Sequence, residues 1–173
     1  MRPAIKSARY LIPVLLISLL GSCGGQDPAS EELNRAVDEL YDSVSTQTGR
    51  FEVIAEIDHS RLAAAEGEMM PPARVLIFSD SAVNTSILLQ EPLAGLDLPF
   101  RVLAYAEHNM PAITYTTADF LQRRHGLESG PDLQRYDEVL LETVSLVPGD
   151  AKFAVDTTSV GKGQGIVTLE SSY

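Results

Sequence analysis

Cysteine occurs once in this chain, as Cys23, and tryptophan does not occur at all. A single thiol excludes an internal disulfide framework and a cysteine metal cluster. With no tryptophan and only 6 % aromatic residues, the chain has little material for a broad stacking platform for sugars or bases. Histidine is scarce as well. His59, His108 and His125 stand far apart, with no His-x-x-x-His, Cys-x-x-Cys or haem-attachment spacing, so no metal and no cofactor is expected. Positive charge is also short: 13 Lys and Arg face 24 Asp and Glu, a formal charge of −11. Such a surface repels phosphate backbones and anionic headgroups, which excludes nucleic acid as a partner and a basic membrane-binding face.

The informative presence is at the start. Arg2, Lys6 and Arg9 precede an apolar run over residues 10–20, and Gly21-Ser22-Cys23 follows it. A charged start, a short apolar core and small residues at a cut site make a secretory signal. The run falls short of the about 20 apolar residues that a bilayer span requires. The last four residues resemble a bacterial lipobox, which implies cleavage before Cys23 and lipidation of its sulfur. The three basic residues of the signal leave ten against 24 acidic ones beyond it, a charge of −14. The expected organisation is a lipoprotein signal peptide over 1–22, a flexible tether over 23–30, an α+β domain over 31–127, and a C-terminal helix and strand over 128–173 that pack on or complete that domain. The expected address is the bacterial cell envelope, lipid-anchored and facing the periplasm or exterior. Gly24 after the lipidated cysteine favours the outer membrane if the cell has two.

Beyond the tether, Leu33, Val37, Leu40, Tyr41 and Val44 recur at helical spacing up to Gly49, which predicts an amphipathic helix. Residues 51–58 switch to period two, a half-buried strand. Residues 60–66 suit a short helix stopped by Gly67, residues 74–78 a strand, 82–90 a further helix and 91–96 a loop. Residues 99–107 and 112–116 form a hairpin around His108-Asn109. Thr117 caps a helix that runs to His125 and closes at Gly126. Another helix opens at Asp132 and carries Leu133, Tyr136, Leu140 and Val144 on one face. A last strand is expected over 166–171. The sum is α+β: a single curved, mostly antiparallel sheet with helices packed on one face.

Several of these residues together are similar to a known family. Ile57-Asp58-His59-Ser60, Ala63 and Gly67, the ARVLIF strand over 73–78, Gly95-Leu96-Asp97-Leu98-Pro99 and His125-Gly126-Leu127 occur in the order that resembles the domain of unknown function 302 family. The resemblance covers residues 33–127. It implies a compact α+β domain whose curved antiparallel sheet carries helices on its concave side, and it implies no established reaction. Ser79-Asp80-Ser81 stands where the family usually has Gly-Asn-Pro, a departure that puts any ligand contact of that turn in doubt. The family's usual first strand, of the pattern G-I-V-x-x-x-S, is matched only by GIVTLES over 165–171. That segment either inserts into its own sheet or pairs with a neighbour's edge; insertion is the favoured expectation.

Candidate site residues follow from type and place. Asp58-His59 ends a strand and opens a helix, where a histidine can titrate near neutrality; the competing reading is a helix cap beside a hydrogen-bonded histidine. His125, beside Arg123 and Arg124 at a helix C-terminus, is the possible partner of His59. His108 reads as a solvated turn residue. Asp97 suits a general base or a turn-closing acceptor. Phe78, Tyr105 and Tyr115 either line an apolar pocket or fill the core. Gly161-Lys162-Gly163-Gln164-Gly165 lacks the helix start of a phosphate loop and reads as a connector. The expected function is non-catalytic binding of a small apolar or amphipathic ligand, or of an envelope protein partner, between sheet and helices. One alternative is a histidine-dependent enzyme or metal- or haem-linked redox accessory. The other is a structural module assembling through its C-terminal strand. The sequence leaves the oligomeric state open.

Overall fold

A computed structural model describes residues 28–167. Helix α1 (Pro28–Gln47) opens earlier than the tether boundary, so residues 28–30 form its first turn. Strand β1 (Glu52–Asp58) follows, then α2 (His59–Ala65), β2 (Ala73–Ser79) and α3 (Ser81–Gln90). Residues 91–96, expected as a loop, hold a short 3-10 helix (Pro92–Leu96). Its proline lies in the first turn, and the Glu91 side chain caps it by accepting the Leu93 N–H at 3.0 Å. The hairpin is β3 (Phe100–Glu107) and β4 (Met110–Tyr115), and α4 (Ala118–His125) and α5 (Pro131–Thr143) complete the helices.

The local chemistry explains the boundaries. Asp58, Asp80 and Thr117 each accept a backbone N–H from the first turn of the helix that follows, satisfying donors that the helix cannot satisfy itself. His108 and Asn109 take φ of 50° and 63°, the two left-handed residues of a tight hairpin turn whose twist matches the strands.

The strands lie in the order β1-β2-β3-β4-β5 in one open, curved sheet. The first three pairings are antiparallel. The fifth strand, β5 (Lys152–Ala154), runs parallel to β4 and is not the segment the sequence pointed to. Ile166 and Val167 carry no strand, and the rest of the expected strand, 168–171, lies outside the described residues. In the described sheet the place beside β4 is held by β5.

One face of the sheet carries the core. Leu76, Phe78, Phe100, Val102, Ala104 and Ile113 share it by register. They pack against Val37, Tyr41 and Val44 of α1, Ile87 of α3, Leu121 of α4 and Tyr136 and Leu140 of α5 in a single buried cluster. Leu133, Tyr136, Val139, Leu140, Val144 and Val147, all beyond residue 127, share this core. Rings stack through its centre: Phe51 to Phe78 at 5.6 Å, Phe78 to Phe100 at 5.1 Å and Phe100 to Tyr136 at 4.4 Å between centroids. Each fully buried ring of this kind contributes about 2–3 kcal/mol of transfer free energy.

Candidate functional site

The site begins where two element ends meet. The 3-10 helix stops at Asp97, and α4 stops at His125 because Gly126 adopts φ 69°. Packing of α4 against that helix and α5 brings Asp97 and His125 together across 28 residues of chain. His125 Nε2 lies 2.5 Å from Asp97 Oδ2, and Arg124 donates from Nη1 to Asp97 Oδ1 at 3.0 Å. An ionised carboxylate only accepts, so its contact places the imidazole proton on Nε2. The His125 side chain is 1 % exposed and that of Asp97 12 %. His125 Nδ1 and Arg124 Nε are buried without a hydrogen-bond partner among the described residues. A buried polar atom left open in this way costs about 1–3 kcal/mol, so a partner from outside would be well received.

His125 lines a cleft of about 540 Å³ together with Gln90, Glu91, Gly126, Asp132 and Lys162. One wall is the start of α5, where Gly130 supplies no side-chain cap and Pro131 no N–H. The N-terminal end of the α5 dipole thus meets the cleft without a side-chain cap, and Asp132 stands in its first turn. Lys162 crosses the opposite side. A Cβ at Gly126 would stand 2.9 Å from Lys162 Cε, so glycine serves there both for its left-handed backbone and for room. The Gly163 N–H donates to Arg124 O at 2.7 Å and holds this crossing in place. Of the three acids in the cleft wall, Glu91 accepts from Leu93 and Asp132 from Gln90 Nε2 at 3.0 Å, while Glu128 has no such bond. A smaller cavity of about 150 Å³ lies against Arg124, His125, Lys162 and Gly163, so His125 and Lys162 border both spaces.

The other sequence candidates lie elsewhere. Asp58 Oδ1 accepts the Arg61 N–H at 2.8 Å and the Ser60 hydroxyl at 2.7 Å: it is the cap of α2. Burial pushes its carboxyl up, but the hydrogen bonds from Arg61 and Ser60 and the charge of Arg74 outweigh burial and hold it below the usual range. His59 is the exposed first residue of α2. It does not pair with His125. Asp58 is aligned with Arg74 and so with Ala104, whereas Asp97 precedes the other end of β3 at Phe100.

Phe78 is wholly buried and Tyr115 nearly so, both within the core cluster. Between sheet and helices Phe51, Phe78, Phe100 and Tyr136 stack on one another, and a cavity of about 290 Å³ lies beside Leu40, Met110, Ala112 and Phe153. Tyr105 stands on the other sheet face, where its hydroxyl donates to Glu107 at 2.9 Å. Burial, then that carboxylate, raises its pKa. No group of three or more His, Cys, Asp or Glu suited to a metal ion occurs among the described residues. Cys23 lies outside them.

Three contributors were not legible in the sequence. Arg124 was visible only as a neighbour of His125, Lys162 as part of a glycine-rich connector, and the α5 N-terminus as a break. The one local signal was Gly130-Pro131, a helix start lacking a capping side chain.

The family model described as "Domain of unknown function DUF302" matches residues 28–143. Among curated proteins, the fluoride-specific ion channel FluC 1 of Brucella suis biovar 1 (strain 1330) is 29 % identical over 82 residues, covering 47 % of this chain and 32 % of that protein. FluC 1 of Brucella abortus biovar 1 (strain 9-941) is also 29 % identical over 82 residues, covering 47 % and 30 %. The chain thus spans about a third of the length of these relatives. No helix of the described residues is long and apolar enough to cross a membrane. A crystal structure of an uncharacterized conserved DUF302 protein from Bacillus stearothermophilus is similar at a TM-score of 0.45 and 16 % identity, covering 63 % of this chain and 85 % of that one.

Proposed function

Because the chain belongs to the DUF302 family, a domain of unknown function, we propose a role from its site alone: it holds a small anionic ligand, bearing a carboxylate or phosphate, in the His125 cleft. The observation that carries this reading is the buried His125 ring, held through Nε2 by Asp97 and without a partner at Nδ1 among the described residues; an anion would be bound by the ring carrying a proton on both nitrogens. Lys162, which makes no ion pair among the described residues, brings positive charge to the same space, set against the carboxylates of Glu91, Glu128 and Asp132 in its wall. A charged or strongly polar ligand end suits such a site, and an apolar one does not.

Export and lipidation at Cys23 belong to the same proposal. They tether the domain to an envelope surface, where a binding module meets solutes rather than cytoplasmic polymers.

The test uses the full chain and inorganic phosphate as probe, in titration calorimetry. Saturable binding is expected, weakened at least tenfold by His125→Ala and by Lys162→Ala, with circular dichroism unchanged. No binding to the unsubstituted chain would sink the ligand reading. Cys23→Ala should move the protein from the membrane fraction to the soluble one, and continued membrane fractionation would reject the anchor.

One observation favours a second reading, catalysis. A carboxylate holding one imidazole nitrogen while the other stays open is also the arrangement of a general base. No hydroxyl among the described residues hydrogen-bonds that nitrogen, which is why binding ranks first. Hydrolysis of a nitrophenyl ester by the unsubstituted chain, lost in His125→Ala, would reverse the order.

A further inference from the structure

The face of the sheet turned away from the helices is bare. Ala55 and Ile57 of β1, Val75 and Ile77 of β2, and Leu103 and Tyr105 of β3 occupy it by register. All six are only partly buried, and none belongs to the core cluster. Helix α2, the helix outside that cluster, contributes no buried residue. A contiguous apolar patch of this size on a soluble domain marks an interaction surface.

We infer that this face is covered by the same face of a second copy, as a two-fold dimer of stacked sheets. Charge selects the partner. The chain carries −11, so two copies repel wherever their acidic surfaces meet, yet this face carries few charges, with Glu52 at the start of β1 its one acid there. Its charged residues along β3 are Arg101 and Glu107, both exposed and at opposite ends of the strand. A two-fold axis in the plane of the interface and across β3 lays one β3 antiparallel over the other. Arg101 of each copy then stands over Glu107 of its partner. An axis along β3 would instead set like charges together, so the charge pattern chooses one of the two arrangements.

The groups are available for this. Arg101 contacts the Leu96 and Leu98 carbonyls through Nη2 alone, at 3.4 and 3.3 Å, and Glu107 accepts one bond, from Tyr105. Three strands about 20 Å long, spaced about 4.8 Å apart, offer about 300 Å² per copy and about 600 Å² in all, and β4 with a rim supplies the rest of the about 1,000 Å² of a specific interface. The chain's own tail is poorly placed to cover the face. Ile166 lines the cavity beside Arg124 and Lys162 on the helical side. The His125 cleft is on that side too, so this inference stands or falls independently of the ligand reading.

Sedimentation equilibrium of the full chain in density-matched non-ionic detergent tests it. A dimer is expected, converted to monomer by Leu103→Asp with an unchanged circular dichroism spectrum. Arg101→Glu and Glu107→Arg should each weaken association about tenfold, and the double exchange should restore it to within about threefold. A monomeric unsubstituted chain, or a dimer that survives Leu103→Asp, overturns the dimer. A double exchange no tighter than either single one overturns the antiparallel arrangement. If the face exchanges amide hydrogens faster only after removal of residues 168–173, the tail is the occupant and the dimer is overturned.

Discussion

Tyr136 sits wholly buried at the end of the aromatic stack, with its ring 4.4 Å from that of Phe100 and its hydroxyl without a hydrogen-bond partner. Burial, then the carboxylates of Asp137 and Asp97, pushes the phenol's pKa well above its ordinary value, so it stays neutral and contributes only an unsatisfied polar group. Removing that oxygen takes away a desolvation penalty and leaves the ring contacts in place. Tyr136→Phe should therefore stabilise the domain by about 1 kcal/mol, read as a rise of about 2–4 °C in Tm. A fall in Tm would mean that the hydroxyl has a partner. Asp97 is the opposite case: it accepts from His125 and Arg124 at one place, so removing it strands buried donors and lowers stability along with any binding.

At the scale of elements, the junction of β1 and α2 depends on Asp58. Its carboxylate ends the strand and caps the helix, with both bonds coming from the next three residues. Asp58→Ala should cost about 1 kcal/mol at neutral pH, the ordinary value of an N-cap, measured by urea unfolding. The native pKa is depressed, so this stabilisation is present above the unfolded value and is lost as pH falls through the folded one. The gap between the two proteins should be constant above about pH 5 and close progressively below about pH 4. A gap that persisted unchanged at lower pH would show that the effect is not the carboxylate's charge. The two sheet edges differ in kind. β1 breaks register between Val53 and Ala55, and β5 is three residues long. A kinked edge and a very short one both resist uncontrolled pairing.

For the molecule as a whole, the excess of acid sets the electrostatics. A charge of −11 on the full chain, −14 beyond residue 22, repels itself in the compact state more than in the expanded one. Added salt screens that repulsion over about 10 Å at 0.1 M. Raising sodium chloride from about 0.02 to 0.3 M should increase Tm by a few degrees, and a decrease would mean that favourable pairs such as Arg74–Asp38 and Arg124–Asp97 outweigh the general repulsion.

Most element positions were readable in the chain, because caps, turn residues and hydrophobic periods act over a few residues. Asp58, Thr117, Gly67 and Gly126 mark ends that the structure keeps, and the β3–β4 alternation survives unchanged. β5 was not readable, since three residues are too few to show a period and their pairing with β4 is set by the packing of α5. Asp97 and His125 were each singled out, yet nothing local joins residues 28 positions apart. Their contact, the crossing of Lys162 over Gly126 and the open start of α5 exist only once the helices dock on the sheet. The sequence by itself determined which residues become strands and helices and how acidic the surface is. Tertiary structure decided which side chains face one another across the cleft and which sheet face is left bare. The reason is physical: local propensity fixes backbone geometry over one or two turns, whereas the juxtaposition of distant element ends follows from how the whole core packs.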